Sequence, residues 1–359
     1  MSGNAALTIL VPTYNRYPHL ARLLRYAESA RLPWLLRILD SSSEPLGSES
    51  LRQRLGRGDV EWLRYPSSLP PMQKLLEGLA GVETSYVVVW NDDDLLATRT
   101  LAEGVRFLEA HSDYSVVHGR SAAFRPRATP DGVRIEALGR YPHQAVTGPS
   151  AAARLRSHFT RYHAALNSSI HRTAWLRKNV EQCCAQGFGY RWAELALGAL
   201  DVIQGNAHAL PRLYLCKEVH AGGADAWIRF LAEGRADAGG PWQEPRASHD
   251  VFDWVTEPSF PGKYAAFQQM TAEALMAADG LPPEAARVIV KQAFWSHVAQ
   301  DMTSKQRWSW GRRVPPWRWR ALSHALRGGW DTMSLKSLLR PNSPHHRDFL
   351  PIYEAITKC

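Results

Sequence analysis

The sequence has few of the features that mark secreted or membrane-spanning proteins. Its four cysteines match neither the paired CxxC pattern of a metal site nor a disulfide framework, so we expect reduced thiols. No apolar run approaches the roughly 20 residues that a bilayer-spanning helix needs. Residues 1–6 contain neither the basic nor the apolar segment of a secretory signal. We therefore expect a cytoplasmic protein.

Acidic residues are almost absent from one stretch, residues 305–347. Ten lysines and arginines accompany one acid there, Asp331, and this local excess equals the net charge of +9 of the whole chain. Five tryptophans are interleaved with these cations: Trp308, Trp310, Trp317, Trp319 and Trp330. Tryptophan favours the headgroup level of a bilayer, and basic residues are attracted to anionic lipid. The stretch predicts a peripheral membrane contact or a lipid-linked partner.

Two other interpretations of this basic stretch stay open. The tryptophans would also pack against the rest of the protein while the arginines extend into solvent. Nucleic acid would be bound by phosphate contacts and base stacking, and this is the weakest of the three interpretations.

The remaining composition is that of a folded protein. Hydrophobic residues make up 45% of the 359 residues and charged residues 21%, which excludes a disordered chain. This length is sufficient for two domains, or for one large domain with an appendage.

The N-terminal part alternates between short apolar runs and amphipathic segments. We predict strands at 7–12, 34–39, 60–65 and from Tyr86 onward. Between them, helical spacing recurs at two sets of apolar residues: Leu20, Leu23, Leu24 and Ala27, then Met72, Leu75, Leu76 and Leu79. Strands that alternate with helices predict an α/β fold with a parallel sheet covered on both faces.

Further along the chain the pattern is less regular. We predict strands at 115–119 and 213–216, a hairpin that joins 122–124 to 133–136, and helices from Thr173 and over 195–203. From 261 onward, helix-forming residues predict a helical C-terminal region.

Three consecutive acids follow the fourth predicted strand. Asp92, Asp93 and Asp94 repel one another and lose hydration wherever a fold holds them beside a core, so something must compensate their charge. A hard divalent cation shared with substrate phosphates would do so. The alternative is a solvated loop that caps the helix near Thr98.

Polar residues also follow the first two predicted strands, at 13–16 and 40–43. Ligands of parallel sheets collect beyond the carboxyl ends of the strands. We therefore expect these two clusters and the cluster at 91–94 to converge on one edge of the sheet.

These three clusters resemble the GT-A glycosyltransferases, specifically the inverting family-2 type. Residues 12–16, PTYNR, resemble the opening motif of that family, Asp40 stands where the family offers an acid to the nucleotide base, and 91–94, NDDD, resembles its DxDD signature. The departure is Asn91, which replaces the usual first acid and weakens the electrostatic case for tight metal binding. The resemblance covers about residues 7–225 and implies a Rossmann-like mixed sheet flanked by helices, in which 164–172 is the returning strand.

The resemblance also implies ligands and site residues. It implies a nucleoside diphosphate sugar as donor and Mg²⁺ or Mn²⁺ as cofactor, with Asp93 as the metal ligand and Asp94 as the second. The implied donor-binding residues are Thr13, Tyr14, Asn15, Arg16, Asp40, Lys74, Asn91, Asp92 and His220. His220 precedes small residues that would let backbone approach phosphate, and a mobile loop is the alternative there.

A single carboxylate, Glu194, stands where the family carries an acidic pair at the start of a helix. Inverting transfer needs one carboxylate near the acceptor hydroxyl, so the resemblance implies that Glu194 is the general base. The alternatives are an acid that stabilises the positive end of its helix, and Asp201, seven residues further along, as the base. His118 is either a substrate contact or a buried histidine satisfied by backbone.

The sequence thus predicts a catalytic domain at 1–255 and a helical, basic region at 256–359. The expected activity is metal-dependent transfer of a sugar, with inversion, to a hydroxyl of a glycan or lipid-linked glycan, in the assembly of a cell-surface polysaccharide. A nucleotidyltransferase is one alternative, although residues 13–18 lack the glycine and lysine of its phosphate loop. A non-catalytic nucleotide- or glycan-binding protein is the other.

Overall fold

The computed structural model describes residues 6–130, 132–141, 144–160, 162, 166–218, 254–311 and 334–358. Its strands are β1 (Leu7–Thr13), β2 (Leu35–Asp40), β3 (Val60–Arg64), β4 (Tyr86–Val89), β5 (Leu95–Leu96), β6 (Tyr114–Thr129), β7 (Gly132–Tyr141), β8 (Ile170–Arg172) and β9 (Asn206–Glu218). Its helices are α1 (Tyr17–Ser29), α2 (Glu49–Leu55), α3 (Pro71–Ala80), α4 (Thr98–Ala110), α5 (Ala151–Thr160), α6 (Thr173–Ala185), α7 (Tyr190–Gln204), α8 (Phe260–Asp279), α9 (Pro283–Gly311), α10 (Leu335–Leu338) and α11 (His346–Thr357).

The described strands form one mixed sheet in the order β3-β2-β1-β4-β8-β6-β9-β5, and β7 pairs with β6. The first four strands of this order are parallel, whereas β8 runs antiparallel to β4. Helices flank the sheet, and further helices follow at the C-terminus. The predicted α/β architecture, a mixed sheet with flanking helices, is confirmed.

Helix α1 shows why the predicted N-terminal elements form. Leu20, Leu23, Leu24 and Ala27 are buried at the predicted helical spacing, and Pro18 lies in the first turn, where its missing N–H costs nothing. In the adjacent strands, Thr13 of β1 pairs in register with Asp40 of β2. The two strands therefore end at the same edge of the sheet.

The middle of the chain forms longer strands than the sequence predicts. Strand β6 contains both the predicted strand at 115–119 and the first arm of the predicted hairpin, and its neighbour β9 begins at Asn206 rather than at Leu213. Their register shifts next to Gly119, where an added Cβ would lie 2.8 Å from the carbonyl oxygen of Arg212. Glycine thus lets the two backbones approach closely. Of the predicted strand at 164–172, the structure describes 166–172, and within these residues Ile170–Arg172 is the strand.

Helices α8 and α9 belong to the same core as the sheet's helical layer. Phe267 of α8 and Phe294 of α9 are buried in one hydrophobic cluster with Leu155 of α5 and Leu197 of α7. Asp279, at the end of α8, accepts hydrogen bonds from the first two backbone N–H groups of α5, at 2.9 and 2.8 Å. The core thus continues across the proposed boundary at 255, and the division into 1–255 and 256–359 stays a prediction.

The last described helix, α11, does not pack in the hydrophobic cluster that contains α8 and α9. Phe349, Ile352 and Ile356 are buried in a second hydrophobic cluster that also contains residues of α1. Much of the basic stretch at 305–347 lies outside the described residues. Among the described residues, no helix combines the length and apolar character that crossing a membrane requires.

Candidate functional site

The three polar clusters predicted from the sequence lie next to one another at the carboxyl edge of β1, β2 and β4. The hydroxyl of Thr13 donates to Oδ2 of Asp92 at 2.7 Å, which joins the end of β1 to the loop after β4. The backbone N–H of Asn15, in the loop after β1, donates to Oγ of Ser42 at 2.8 Å, and this bond joins the loop after β1 to the end of β2. The expected convergence is therefore present in the structure.

Arg16 bridges two of the three acids. Its Nη1 lies 2.8 Å from Oδ1 of Asp92, and its Nη2 lies 2.8 Å from Oδ2 of Asp93. Asp92 is only 2% exposed. Burial raises its pKa to about 6, although the positive charge of Arg16 opposes this rise. The guanidinium therefore balances charge that the fold removes from water.

Asp94 is the most deeply buried of the three acids, at 1% exposure. Its Oδ1 accepts from the backbone N–H of Glu218 at 3.1 Å, and its Oδ2 accepts from the side-chain amide of Asn91 at 3.2 Å. Burial raises the pKa of Asp94, and the positive charge of Lys217 opposes this rise. In return, the negative charge of Asp94 is the main cause that raises the pKa of Lys217. Lys217, at the end of β9, is thus the electrostatic partner of Asp94.

The alternative of a solvated capping loop is wrong. Helix α4 has Ala97 as its N-cap, with no side-chain cap hydrogen bond and no acid in its first turn. Asp92 and Asp94 are buried rather than solvated. Arg16 and Lys217 supply positive charge that compensates these acids, and no pattern in the sequence indicated this pairing.

The acids suit a cation that is shared with a ligand. Carboxylate oxygens are the ligands that Mg²⁺ prefers, and this ion often takes only one or two of them from the protein when substrate phosphates supply the rest. The side chain of Asp93, at 13% exposure, is the more accessible of the two proposed ligands. Among the described residues, no group of three His, Cys, Asp or Glu is arranged to hold a metal. Asp93 and Asp94 would each supply carboxylate oxygens to such an ion.

The loop at 13–16 is held by Asn15, which has a φ of 51°. Asparagine tolerates this left-handed conformation better than most residues. Its side-chain oxygen accepts from the backbone N–H groups of Ser43 and Glu44 at 3.0 and 3.2 Å. Next to it, the hydroxyl of Tyr14 is buried without a hydrogen-bond partner among the described residues. Asn15 therefore shapes the loop, and the neighbouring hydroxyl of Tyr14 is a buried polar group that the described residues leave unbonded.

Asp40 is fully buried and bonded within the protein. Its Oδ2 accepts hydrogen bonds from Nη1 of Arg64 at 2.5 Å and from Nε1 of Trp62 at 3.1 Å. Its Oδ1 accepts from the backbone N–H of Ser42 at 2.8 Å. Burial alone would raise its pKa, but the hydrogen bonds from Ser42 and the charge of Arg64 together lower it. In the structure Asp40 thus organises the end of β2, while its expected contact with a base stays a prediction.

The side chain of Lys74 extends from α3 to the ends of β1 and β2. Its Nζ donates to the backbone oxygen of Thr13 at 2.9 Å and to Oγ of Ser41 at 2.7 Å. Burial lowers its pKa to about 8. Lys74 therefore ties the ends of β1 and β2 together beneath the loops.

Glu194 lies in the second turn of α7, which begins at Tyr190 and has no acid in its first turn. The structure therefore does not favour the alternative that Glu194 stabilises the positive end of this helix. The hydroxyl of Tyr162 donates to Oε1 of Glu194 at 2.9 Å. The other proposed base, Asp201, is 2% exposed, and its Oδ1 lies 3.4 Å from Nδ1 of the buried His171. Asp201 thus lies inside the protein core.

Two tyrosines connect Glu194 with the acidic cluster electrostatically. Burial raises the pKa of Tyr141, and both Glu194 and Asp94 add to this rise. The charge of Glu194 is the main cause that raises the pKa of Tyr190, and Asp93 contributes to it. Lys217 lies with its Nζ 5.7 Å from the ring centre of Tyr141. The charges of Glu194 and of the acids after β4 therefore act on the same two tyrosine side chains.

The sequence singled out two histidines, His118 and His220, and the structure describes only the first of them. His118 is buried, and its ring nitrogens lie 3.2 Å from the backbone oxygens of Gly119 and Gln144. Burial lowers its pKa, so this histidine matches the structural alternative rather than the substrate contact. His220 lies outside the described residues.

The chain is an α/β protein whose acidic site lies at the carboxyl edge of its sheet. No protein-family model matches it, and no curated protein matches it. Among solved structures it is similar to S. aureus TarS residues 1–349, with a TM-score of 0.43 and 14% identity over 85% of this chain and 91% of that one. The same residues of TarS in complex with UDP-GlcNAc give 0.45 and 13% over 84% and 91%. A longer TarS structure gives 0.44 and 15% over 82% and 55%.

Proposed function

We propose that this protein transfers a sugar from a nucleoside diphosphate sugar to a hydroxyl group, with inversion at the anomeric carbon. The observation that carries the proposal is that Thr13, Arg16 and the acids after β4 converge at one edge of the sheet; we assign Glu194, a half-buried carboxylate of α7, as the base. A general base and a place for a diphosphate are the two parts that inverting transfer requires.

The donor would lie along the carboxyl edge of the sheet. Its base would contact the loop that carries Thr13 and Tyr14, close to Asp40, and its ribose would accept or donate a hydrogen bond at Asn91. The buried, unpartnered hydroxyl of Tyr14 supports this placement, because a buried polar group is stabilised by a ligand that bonds to it.

Asp93 and Asp94 would hold Mg²⁺ or Mn²⁺, which when bound would neutralise negative charge on the diphosphate. Lys217 and Arg16 would lie close to the same phosphates, and both side chains remain positively charged at neutral pH. Glu194 would accept the proton of the acceptor hydroxyl as that oxygen attacks the anomeric carbon. Attack from the face opposite the departing diphosphate inverts the configuration.

The proposed acceptor is a glycan or a lipid-linked glycan. The basic, tryptophan-rich composition of 305–347 supports a reaction at a membrane surface, because anionic lipid attracts such segments. The proposed setting is the cytoplasmic side of that membrane.

A panel of UDP-, GDP-, TDP- and CDP-sugars, each with and without Mn²⁺, tests the proposal. A donor that binds the folded state raises the melting temperature, and release of the nucleoside diphosphate then measures hydrolysis of that donor. We expect at least one nucleotide sugar to stabilise the protein and to be hydrolysed faster with Mn²⁺. If no member of the panel binds, the proposed function is wrong.

A non-catalytic nucleotide- or glycan-binding protein is the second candidate. It is favoured by the amide at Asn91, which replaces an acid, and by the ion pair between Arg16 and Asp93. Such a protein would be stabilised by a nucleotide or sugar in the same panel but would release no nucleoside diphosphate.

A further inference from the structure

Tyr162 is a residue that no motif in the sequence indicated. It follows α5, and its hydroxyl lies 2.9 Å from Oε1 of Glu194 on α7. A tyrosine hydroxyl carries one proton to donate, so this hydrogen bond uses the donor capacity of the side chain. One oxygen of this carboxylate is therefore held by a defined donor.

The ring of Tyr162 is held in place by three other rings. Its centre lies 5.1 Å from that of His158 and 6.2 Å from that of Phe159, both on α5. It lies 4.7 Å from the ring of His297 on α9. Such packing of ring faces and edges restricts rotation of the side chain. The hydroxyl of Tyr162 is thus a fixed donor rather than one that swings into solvent.

The hydroxyl also stays protonated. Burial raises the pKa of Tyr162 well above its ordinary value, and the charge of Glu194 raises it further. A hydrogen bond to a carboxylate is stronger than one between neutral groups. The geometry therefore combines an immobilised donor with a charged acceptor.

We infer that Tyr162 is a positioning residue, which orients the carboxylate of Glu194 for proton abstraction and is itself braced by the C-terminal helix α9. This inference rests on the proposed function of Glu194 as the base. A glutamate side chain without such a partner samples several rotamers, and each misorientation removes the base from reach of the acceptor. Helix α9 thus contributes to the proposed active site through His297, whose ring packs against that of Tyr162.

The test uses the full chain and a nucleotide sugar that it hydrolyses. Replacement of Tyr162→Phe keeps the ring and its packing but removes the donor. We expect turnover to fall about tenfold to a hundredfold, with an unchanged KM for the donor and with the protein still folded at the assay temperature. Tyr214→Phe is the matched control, because it removes a buried hydroxyl that donates to the backbone oxygen of Ser168 in another part of the fold. Turnover in this control should stay at the wild-type value.

The combined variant separates positioning from general structural effects. In a Glu194→Gln background, Tyr162→Phe should cause no further loss, because the base that it orients is gone. A further loss of the same factor as in the wild type would overturn the inference. If Glu194→Gln is slow while Tyr162→Phe keeps wild-type turnover, the positioning role fails alone. If Glu194→Gln keeps wild-type turnover, the role of Glu194 as the base fails, and the inference fails with it; the donor panel tests the proposed function separately.

A second readout needs no substrate. In protein with ¹³C-labelled glutamate carboxyl groups, the resonance that disappears in Glu194→Gln identifies this side chain. We expect that resonance to shift in Tyr162→Phe and to stay unchanged in Tyr214→Phe. An unchanged resonance in both variants would show that Tyr162 does not hold the carboxylate, and would overturn the inference.

Discussion

Arg16 is paired with Asp93, with Nη2 of the guanidinium 2.8 Å from Oδ2 of the carboxylate. The same guanidinium contacts Asp92 through Nη1, also at 2.8 Å. Asp93 is also the residue to which the sequence assigns a divalent cation. A metal that binds there would compete with an existing ion pair, so we expect its binding to be strengthened by the phosphates of a donor.

Replacement of Asp93→Ala should remove the response to a divalent cation. The proposed ligand is lost, and Mn²⁺-stimulated hydrolysis of a nucleotide sugar should fall on the order of a hundredfold. The measurement is the rate of nucleoside diphosphate release over a range of Mn²⁺ concentrations. Asp59→Ala is the control, since that acid pairs with Arg57 next to β3. Equal stimulation by Mn²⁺ in Asp93→Ala and in the wild type would remove the metal assignment.

Replacement of Glu194→Gln should separate binding from turnover. The amide keeps the size of the side chain but accepts no proton, so hydrolysis should fall by about 10²- to 10⁴-fold. The rise in melting temperature caused by the donor should be unchanged. Glu109→Gln, at an exposed position of α4, is the control. Full turnover in Glu194→Gln together with a loss in Asp201→Asn would transfer the role of base to Asp201.

His158 should make the fold sensitive to acid. Burial lowers its pKa from 6.5 to about 3, and the neighbouring His297 adds to this effect. The unfolded chain therefore binds a proton on this side chain at a higher pH than the folded chain does. Its contribution to stability is complete above the unfolded pKa, and it is lost as the pH falls from there towards the folded value.

The variant His158→Leu lacks this titration. Between about pH 7 and about pH 4, the wild type should lose about 3 kcal/mol more of its unfolding free energy than this variant does. Urea unfolding at several pH values measures the difference. His111→Leu, at an exposed position, should follow the wild type. Parallel stability curves for His158→Leu and the wild type would contradict the buried, neutral state of this histidine.

Asp279 should stabilise the start of α5 from the end of α8. It accepts from the backbone N–H groups of Ala151 and Ala152 at 2.9 and 2.8 Å. Asp279→Ala should lower the unfolding free energy by about 0.5–2 kcal/mol, as the loss of a helix cap does. Glu273→Ala, at an exposed position of the same helix, is the control for urea unfolding. Equal losses in both variants would show that the capping contact contributes nothing.

Several predictions of strands and helices hold because their signals are local. The apolar runs of β1 and β4 and the spacing in α1 reflect which side chains must leave water, and these patterns span only a few residues. By contrast, the full length of β6 and β9 was missed. Those strands gain their extra residues by pairing with each other, and Gly119 permits the close approach at their register shift. Pairing between distant strands leaves no periodic signal in either of them.

The sequence by itself determined that polar loops follow β1, β2 and β4 and meet at one edge, because parallel strands present their carboxyl ends on the same side. Only the tertiary structure decided which side chains pair there. Arg16 and Asp93 are separated by 77 positions and Tyr162 and Glu194 by 32. Such pairs depend on how helices and strands pack in three dimensions, so charge compensation by Arg16 and orientation of Glu194 follow from the fold.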